Sequence, residues 1–178
     1  MFVLYAIPIG IAIGFLMGGR PDRLGELQFE WGWLAVVGLA IQIVLFSGFV
    51  EAGLGRGVGE AIYVASTGAV LVAVWRNLSV PGLPVVAVGA ISNLAAIVAN
   101  EGIMPTTAEA LAAAGMGADE GFSNSAIVAD PALAPLTDIF ALPPWVQLAN
   151  VFSIGDVLIG LGIVVVIALG MRGRTRPD

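Results

Sequence analysis

Two aspartates, Asp138 and Asp156, stand on either side of a Pro143-Pro144-Trp145 segment, and Asp156 lies just inside the last long apolar run. A carboxylate at the edge of a hydrocarbon span is costly enough to need a partner or a task. If the two acids meet, they cannot both ionise easily. One then holds a proton while the other acts as base on a water, the arrangement of an aspartyl hydrolase. The proline pair would turn the chain so that Asp138 approaches the start of the last run. Asp156 also has a structural reading. Ser153-Ile154-Gly155-Asp156 has the spacing of a capping box, with Ser153 as N-cap and the acid in the first helical turn, where the macrodipole favours it. Asp138 is then a loop acid. Spacing leaves both readings open. Asn93, in the middle of an earlier apolar run, is the third candidate. Its amide must face other helices, because an unsatisfied amide in lipid is expensive.

Composition removes most other chemistry. There is no cysteine and no histidine, so thiol nucleophiles, disulfides, imidazole bases and the usual zinc sets are absent. All seven basic residues are arginine, which excludes a lysine Schiff base. Outside the C-terminal tail there is no basic patch, so nucleic-acid binding is not expected. No metal and no cofactor is expected.

The elements that must position the acids are membrane helices. Of the 178 residues, 58% are hydrophobic and 11% charged, against about a quarter charged in a soluble domain. The apolar runs predict an all-α, polytopic transmembrane helix bundle with five spans: 2–17, 31–50, 60–75, 83–100 and 154–171. Residues 1–178 form one transmembrane domain. Trp31 and Trp33 sit where interfacial anchors would. Gln42 and Ser47 suit hydrogen bonds between helices. The one long connection, residues 101–145, carries a Thr106-x-x-Glu109 capping box that predicts a short helix over 107–116.

Orientation follows from the arginines. The tail residues Arg172, Arg174 and Arg176 should be cytoplasmic, and counting back puts Arg76, Arg20 and Arg23 on the same side. Only Arg56 falls opposite. The N-terminus is then outside, the C-terminus inside, and loop 101–145 extracytoplasmic, in a multi-pass protein of the inner (plasma) membrane.

The residues around the two acids resemble a family. Leu136-Thr137-Asp138-Ile139-Phe140 and Val151-Phe152-Ser153-Ile154-Gly155-Asp156-Val157-Leu158-Ile159-Gly160 are similar to the last two motifs of type II (lipoprotein) signal peptidases, the intramembrane aspartyl proteases. Gly89-Ala90-Ile91-Ser92-Asn93-Leu94 resembles a segment on that family's preceding helix. The resemblance covers residues 89–162 and implies Asp138 and Asp156 as catalytic aspartates, with Asn93 supporting. The chain has Ala95-Ala96 where the family has an Asp-Arg pair. Its connector between the second and third runs is too short for the family's extracytoplasmic β-subdomain. As a whole, the chain also looks like an uncharacterised family of small bacterial membrane proteins.

Three functional expectations follow. The first is a non-enzymatic accessory or interaction subunit of a membrane complex, or a binder of lipid or another hydrophobic ligand, on a peptidase-like scaffold. The second is an intramembrane aspartyl peptidase or hydrolase using Asp138 and Asp156. The third is a small transporter. Expected partners are membrane lipids, other membrane-protein subunits, or a lipidated or hydrophobic substrate.

Overall fold

The computed structural model describes residues 2–45, 56–117 and 125–173. Helices occupy all five apolar runs. A 3-10 turn, Phe2–Tyr5, leads into α1 (Ala6–Leu16). The others are α2 (Gly32–Leu45), α3 (Arg56–Arg76), α4 (Leu83–Ala99) and, after the long connection, α6 (Ile154–Gly170), with a short α5 (Ala108–Ala113) between. Helix α3 alone, among the described residues, is long and apolar enough to cross a membrane; the other four long helices are shorter apolar ones. Ser47 and residues 46–50 of the second run lie outside the described residues, as do Arg174 and Arg176.

The chain is mostly helical rather than all-α. The connection holds four short strands: β1 (Met104–Thr106) pairs in parallel with β2 (Ser125–Ile127), and β3 (Phe140–Ala141) pairs antiparallel with β4 (Val151–Phe152). The predicted Thr106 cap is displaced by one residue. Thr107 is the N-cap of α5, its side chain accepting from the Ala110 amide at 3.1 Å. Thr106 instead belongs to β1, is buried, and donates its hydroxyl to the Asp138 carbonyl at 2.8 Å. Only Thr106 has an acid three residues on, but both threonines can cap, and pairing of Thr106 in β1 leaves the cap to Thr107.

The main helix contacts form a series, α1 against α6, α6 against α4, α4 against α3, and α3 against α2. The last helix therefore lies between the first and the fourth. Helices α4 and α6 run antiparallel at backbone contact. A Cβ on Gly89 would lie 2.5 Å from the Gly155 carbonyl oxygen, and one on Gly162 would lie 2.7 Å from the Gly82 carbonyl oxygen. Gly38 of α2 meets the Ser66 carbonyl of α3 in the same way, at 2.8 Å. Gln42 adds the expected interhelical bond, donating to the Thr67 hydroxyl at 3.1 Å.

In α1 and α6 burial is inverted relative to a water-soluble bundle. In α1 the buried residues are Ala6, Gly10 and Gly14, and in α6 they are Gly155, Gly160, Gly162, Ala168 and Gly170. Large side chains such as Ile9, Val36, Ile43, Val88 and Leu161 face outward.

The two ends of the series differ in charge. At one end, the Arg20 amide donates to the Met171 carbonyl, Arg23 donates to the Arg172 carbonyl, and Arg76 lies over the Trp31 ring. Asn77 closes this end, its Nδ2 donating to the Glu30 carbonyl at 2.7 Å and its Oδ1 accepting from the Glu30 amide at 2.8 Å. At the opposite end sit β1–β4 and α5, over the C-terminus of α4 and the N-terminus of α6. Met104 packs there with Tyr63, Ala96 and Ile97, and Val151 packs with Ala110, Leu111 and Ala114.

The glycine contacts predict opposite signs for two substitutions. Gly89→Val should destabilise by about 1–3 kcal/mol, because the carbonyl it meets is backbone and cannot rotate away. Gly68→Ala on α3, with nothing within 4 Å of its Cβ, should gain about 0.5–1 kcal/mol. Thermal unfolding of each variant in detergent micelles checks both.

Candidate functional site

The N-terminus of α6 carries a closed polar ring. The Ser153 hydroxyl accepts from the Asp156 amide at 3.0 Å, and the Asp156 Oδ2 accepts from the Ser153 amide at 3.2 Å, which completes the expected capping box. The third member comes from α4. Asn93 Nδ2 donates to Asp156 Oδ1 at 2.8 Å, and Asn93 Oδ1 accepts from the Ser153 hydroxyl at 2.8 Å. Each carboxylate oxygen of Asp156 thus receives a hydrogen bond. Ser153 is fully buried, while Asn93 and Asp156 are partly buried.

Local sequence explains why the ring fits. Gly155 precedes the acid, and a Cβ there would collide with Asn93 Oδ1. Gly89 lies one helical turn before Asn93 on α4, facing the Gly155 carbonyl. Small residues at these two positions bring the helices close enough for an asparagine amide to span the gap. Side-chain hydrogen bonds between membrane helices have modest net value, and one to a charged group has more.

Asp138 is placed differently. It is buried, and its backbone is tied to β1: its amide donates to the Pro105 carbonyl at 2.9 Å, and its carbonyl accepts from the Thr106 hydroxyl. The 3-10 turn just before it, Ala134–Leu136, packs against both α4 and α6. Just after it, Phe140 pairs with Phe152 and Ala141 with Val151. The β3–β4 pair therefore leads from Asp138 on one strand to Ser153 at the end of the other. Both aspartates lie at the same end of the helix series. Asp156 is joined to Asn93 and Ser153 by side-chain bonds, whereas Asp138 is fixed through its backbone.

The Ser153 hydroxyl as a link to Asn93 was not among the expected contacts. The signal available for it is a glycine one turn before Asn93 and another beside Asp156. Thr106, which holds the Asp138 carbonyl, was also assigned to a cap rather than to this end. Among the described residues, no group of three or more acidic side chains is arranged to hold a metal.

Fold and site together define a predominantly helical protein whose apolar helices are locked by a polar ring beneath a small mixed cap. The chain belongs to a family of unknown function, DUF5317, whose model matches residues 26–168. That range includes Asn93, Asp138 and Asp156 and leaves α1 outside. No curated protein and no solved structure matches the chain.

The ring predicts energetic coupling. Asn93→Ala and Asp156→Ala should each destabilise by about 1–3 kcal/mol, since each strands a partly buried partner. In a double-mutant cycle the second loss should be smaller than the first by about 1–2 kcal/mol. Additive losses in chemical or thermal unfolding would show that the contact carries no stability.

Proposed function

We propose that the chain is a multi-pass protein of the inner (plasma) membrane with five spans, its cap outside and its arginine-bearing end inside. In this reading it serves as a non-enzymatic accessory or interaction protein among membrane lipids and other membrane subunits. The observation that carries the non-enzymatic part is the ring: one carboxylate oxygen of Asp156 ties α6 to Asn93 of α4, and the other closes the cap of α6 on the Ser153 amide. A carboxylate with both oxygens bonded to fixed neighbours suits the structural role of a helix cap.

The inverted burial supports the membrane part. Gly and Ala inside with Ile, Val and Leu outside is the pattern expected where lipid is the solvent. The helix of α6, 17 residues long, spans about 25 Å, a few ångströms short of a typical hydrocarbon core, which local thinning accommodates. Arg20, Arg23, Arg76 and Arg172 gather at one end, which supports the orientation.

A second reading, an aspartyl peptidase or hydrolase on a signal-peptidase-like scaffold, draws on one observation. Asp138 is a buried acid on the segment that the β3–β4 pair connects to the start of α6. Asp138→Asn separates the two readings, since it keeps the shape and removes the acid–base group. The accessory reading expects this variant to complement a deletion strain as well as the wild type does. The peptidase reading expects a null. The transporter reading gains no support: apart from Asp156, helices α1, α2, α4 and α6 contain no charged residue.

Orientation has its own test, helped by the absence of native cysteine. Ala112→Cys, on the exposed side of α5, should react in intact cells with a membrane-impermeant maleimide. Ser79→Cys, in the exposed turn between α3 and α4, should react only after lysis. The reverse pattern would invert the topology.

A further inference from the structure

The segment between the two aspartates has a property that neither the ring nor the acids use. From Ile139 to Gly155 it contains no charged residue. Strands β3 and β4 form a hairpin here, and its tip presents large apolar side chains to the outside. Trp145 is 84% exposed and Leu148 54% exposed, with Ile139 and Phe140 also exposed on the adjoining strand. In water, an indole and a leucine held out on an uncharged loop would be a liability.

The hairpin does not stand away from the helices. Phe2 stacks on Phe152 with ring centroids 4.4 Å apart, and Phe152 in turn stacks on Phe140 at 5.6 Å. Tyr5, at the start of α1, donates its hydroxyl to the Gln147 carbonyl. The tip is thus held beside the first turn of the chain, where Leu4 and Ile7 already face outward. Its apolar side chains continue the outward-facing belt of α1. Tyr and Trp at such a level are the residues that favour the boundary between headgroups and acyl chains.

We propose that the β3–β4 hairpin is an interfacial anchor, its tip seated through Trp145 and Leu148 in the outer headgroup region of the bilayer. The occupant of this surface is lipid, chosen over a protein partner because the patch is uncharged and continuous with the lipid-facing side of α1. The proposal rests on the membrane reading above. The anchor would hold the cap down over the start of α6, with Asp138 on one strand end and the Ser153–Asp156 ring on the other. It binds no specific headgroup, since the tip offers no charge to select one.

Single-tryptophan proteins test this in liposomes of phosphatidylethanolamine and phosphatidylglycerol containing no other protein. With Trp31, Trp33 and Trp75 replaced by Phe, the emission of Trp145 should be blue-shifted and should lose roughly half its intensity in lipids brominated near the headgroup end of the chain. Bromines near the chain terminus should quench less. A second protein retaining only Trp75 reports on α3. Trp145 in water with Trp75 quenched by lipid overturns the anchor and leaves the membrane reading standing; both in water overturns the membrane reading itself. Should the triple replacement fail to fold, Leu148→Cys in the otherwise intact chain takes a nitroxide label. Its collision rate should then be higher with oxygen than with a water-soluble nickel chelate, and the opposite order overturns the anchor.

Discussion

The backbone contact between α4 and α6 sets the terms for everything around it. Gly82 meets Gly162 and Gly89 meets Gly155, so the two helices touch at main-chain distance over about two turns. At that separation a side chain as short as asparagine reaches across and engages both members of the opposite cap. Move the helices apart by the width of a methyl group, and Asn93 loses its partners while Asp156 keeps only its own N-cap. Packing and polar chemistry are therefore one feature. The glycines create the distance, and the ring uses it.

The rest of the helix series follows the same logic. In the membrane reading proposed above, lipid offers helices no hydrophobic reason to associate, so close van der Waals contact and hydrogen bonds supply it. Two further interfaces use a version of this. In α1 and α6, Gly10 faces Ile167 and Gly14 faces Met171; α2 and α3 have Gly38 against Ser66 with the Gln42–Thr67 bond beside it. The arginine-bearing end is closed by Asn77, whose amide satisfies both backbone groups of Glu30. Aliphatic side chains complete the contacts, with Val74, Val86 and Ile159 packed between α3, α4 and α6, while others such as Val36 and Leu161 face outward.

How much of this the sequence reveals depends on the range of the interaction. Helix positions were legible because long apolar runs leave few alternatives for the backbone. The Ser153 capping box was legible because it is complete within four residues. The Thr106 cap is displaced by one position because a distant partner overrides the local spacing: Asp138, far along the chain, engages the Thr106 hydroxyl. The short strands were not legible for a related reason. Two- and three-residue strands have no periodicity to detect, and they exist because the segments on either side of Asp138 are held near β1 and β4. The link between Asn93 and Ser153 was readable only in part. A mid-run asparagine announces that it needs a partner without saying which one.

The same distinction bears on how the two acids should be understood. Resemblance to an aspartyl protease motif and fulfilment of a capping box draw on the same residues, Ser153 through Asp156, so the motif alone cannot separate them. The hydrogen bonds complete the cap. A cap needs only Ser153 and Asp156, and it would form without Asn93. A carboxylate kept for proton transfer needs an oxygen directed at its substrate. In this chain Asn93 takes up the oxygen that the cap leaves over, and the two positions after Asn93-Leu94 are alanines rather than charged residues. Asp138, held through its backbone and followed by an uncharged hairpin, is then best understood as the point where the cap is fastened to the helices. The ring is the corresponding fastening on the helix side.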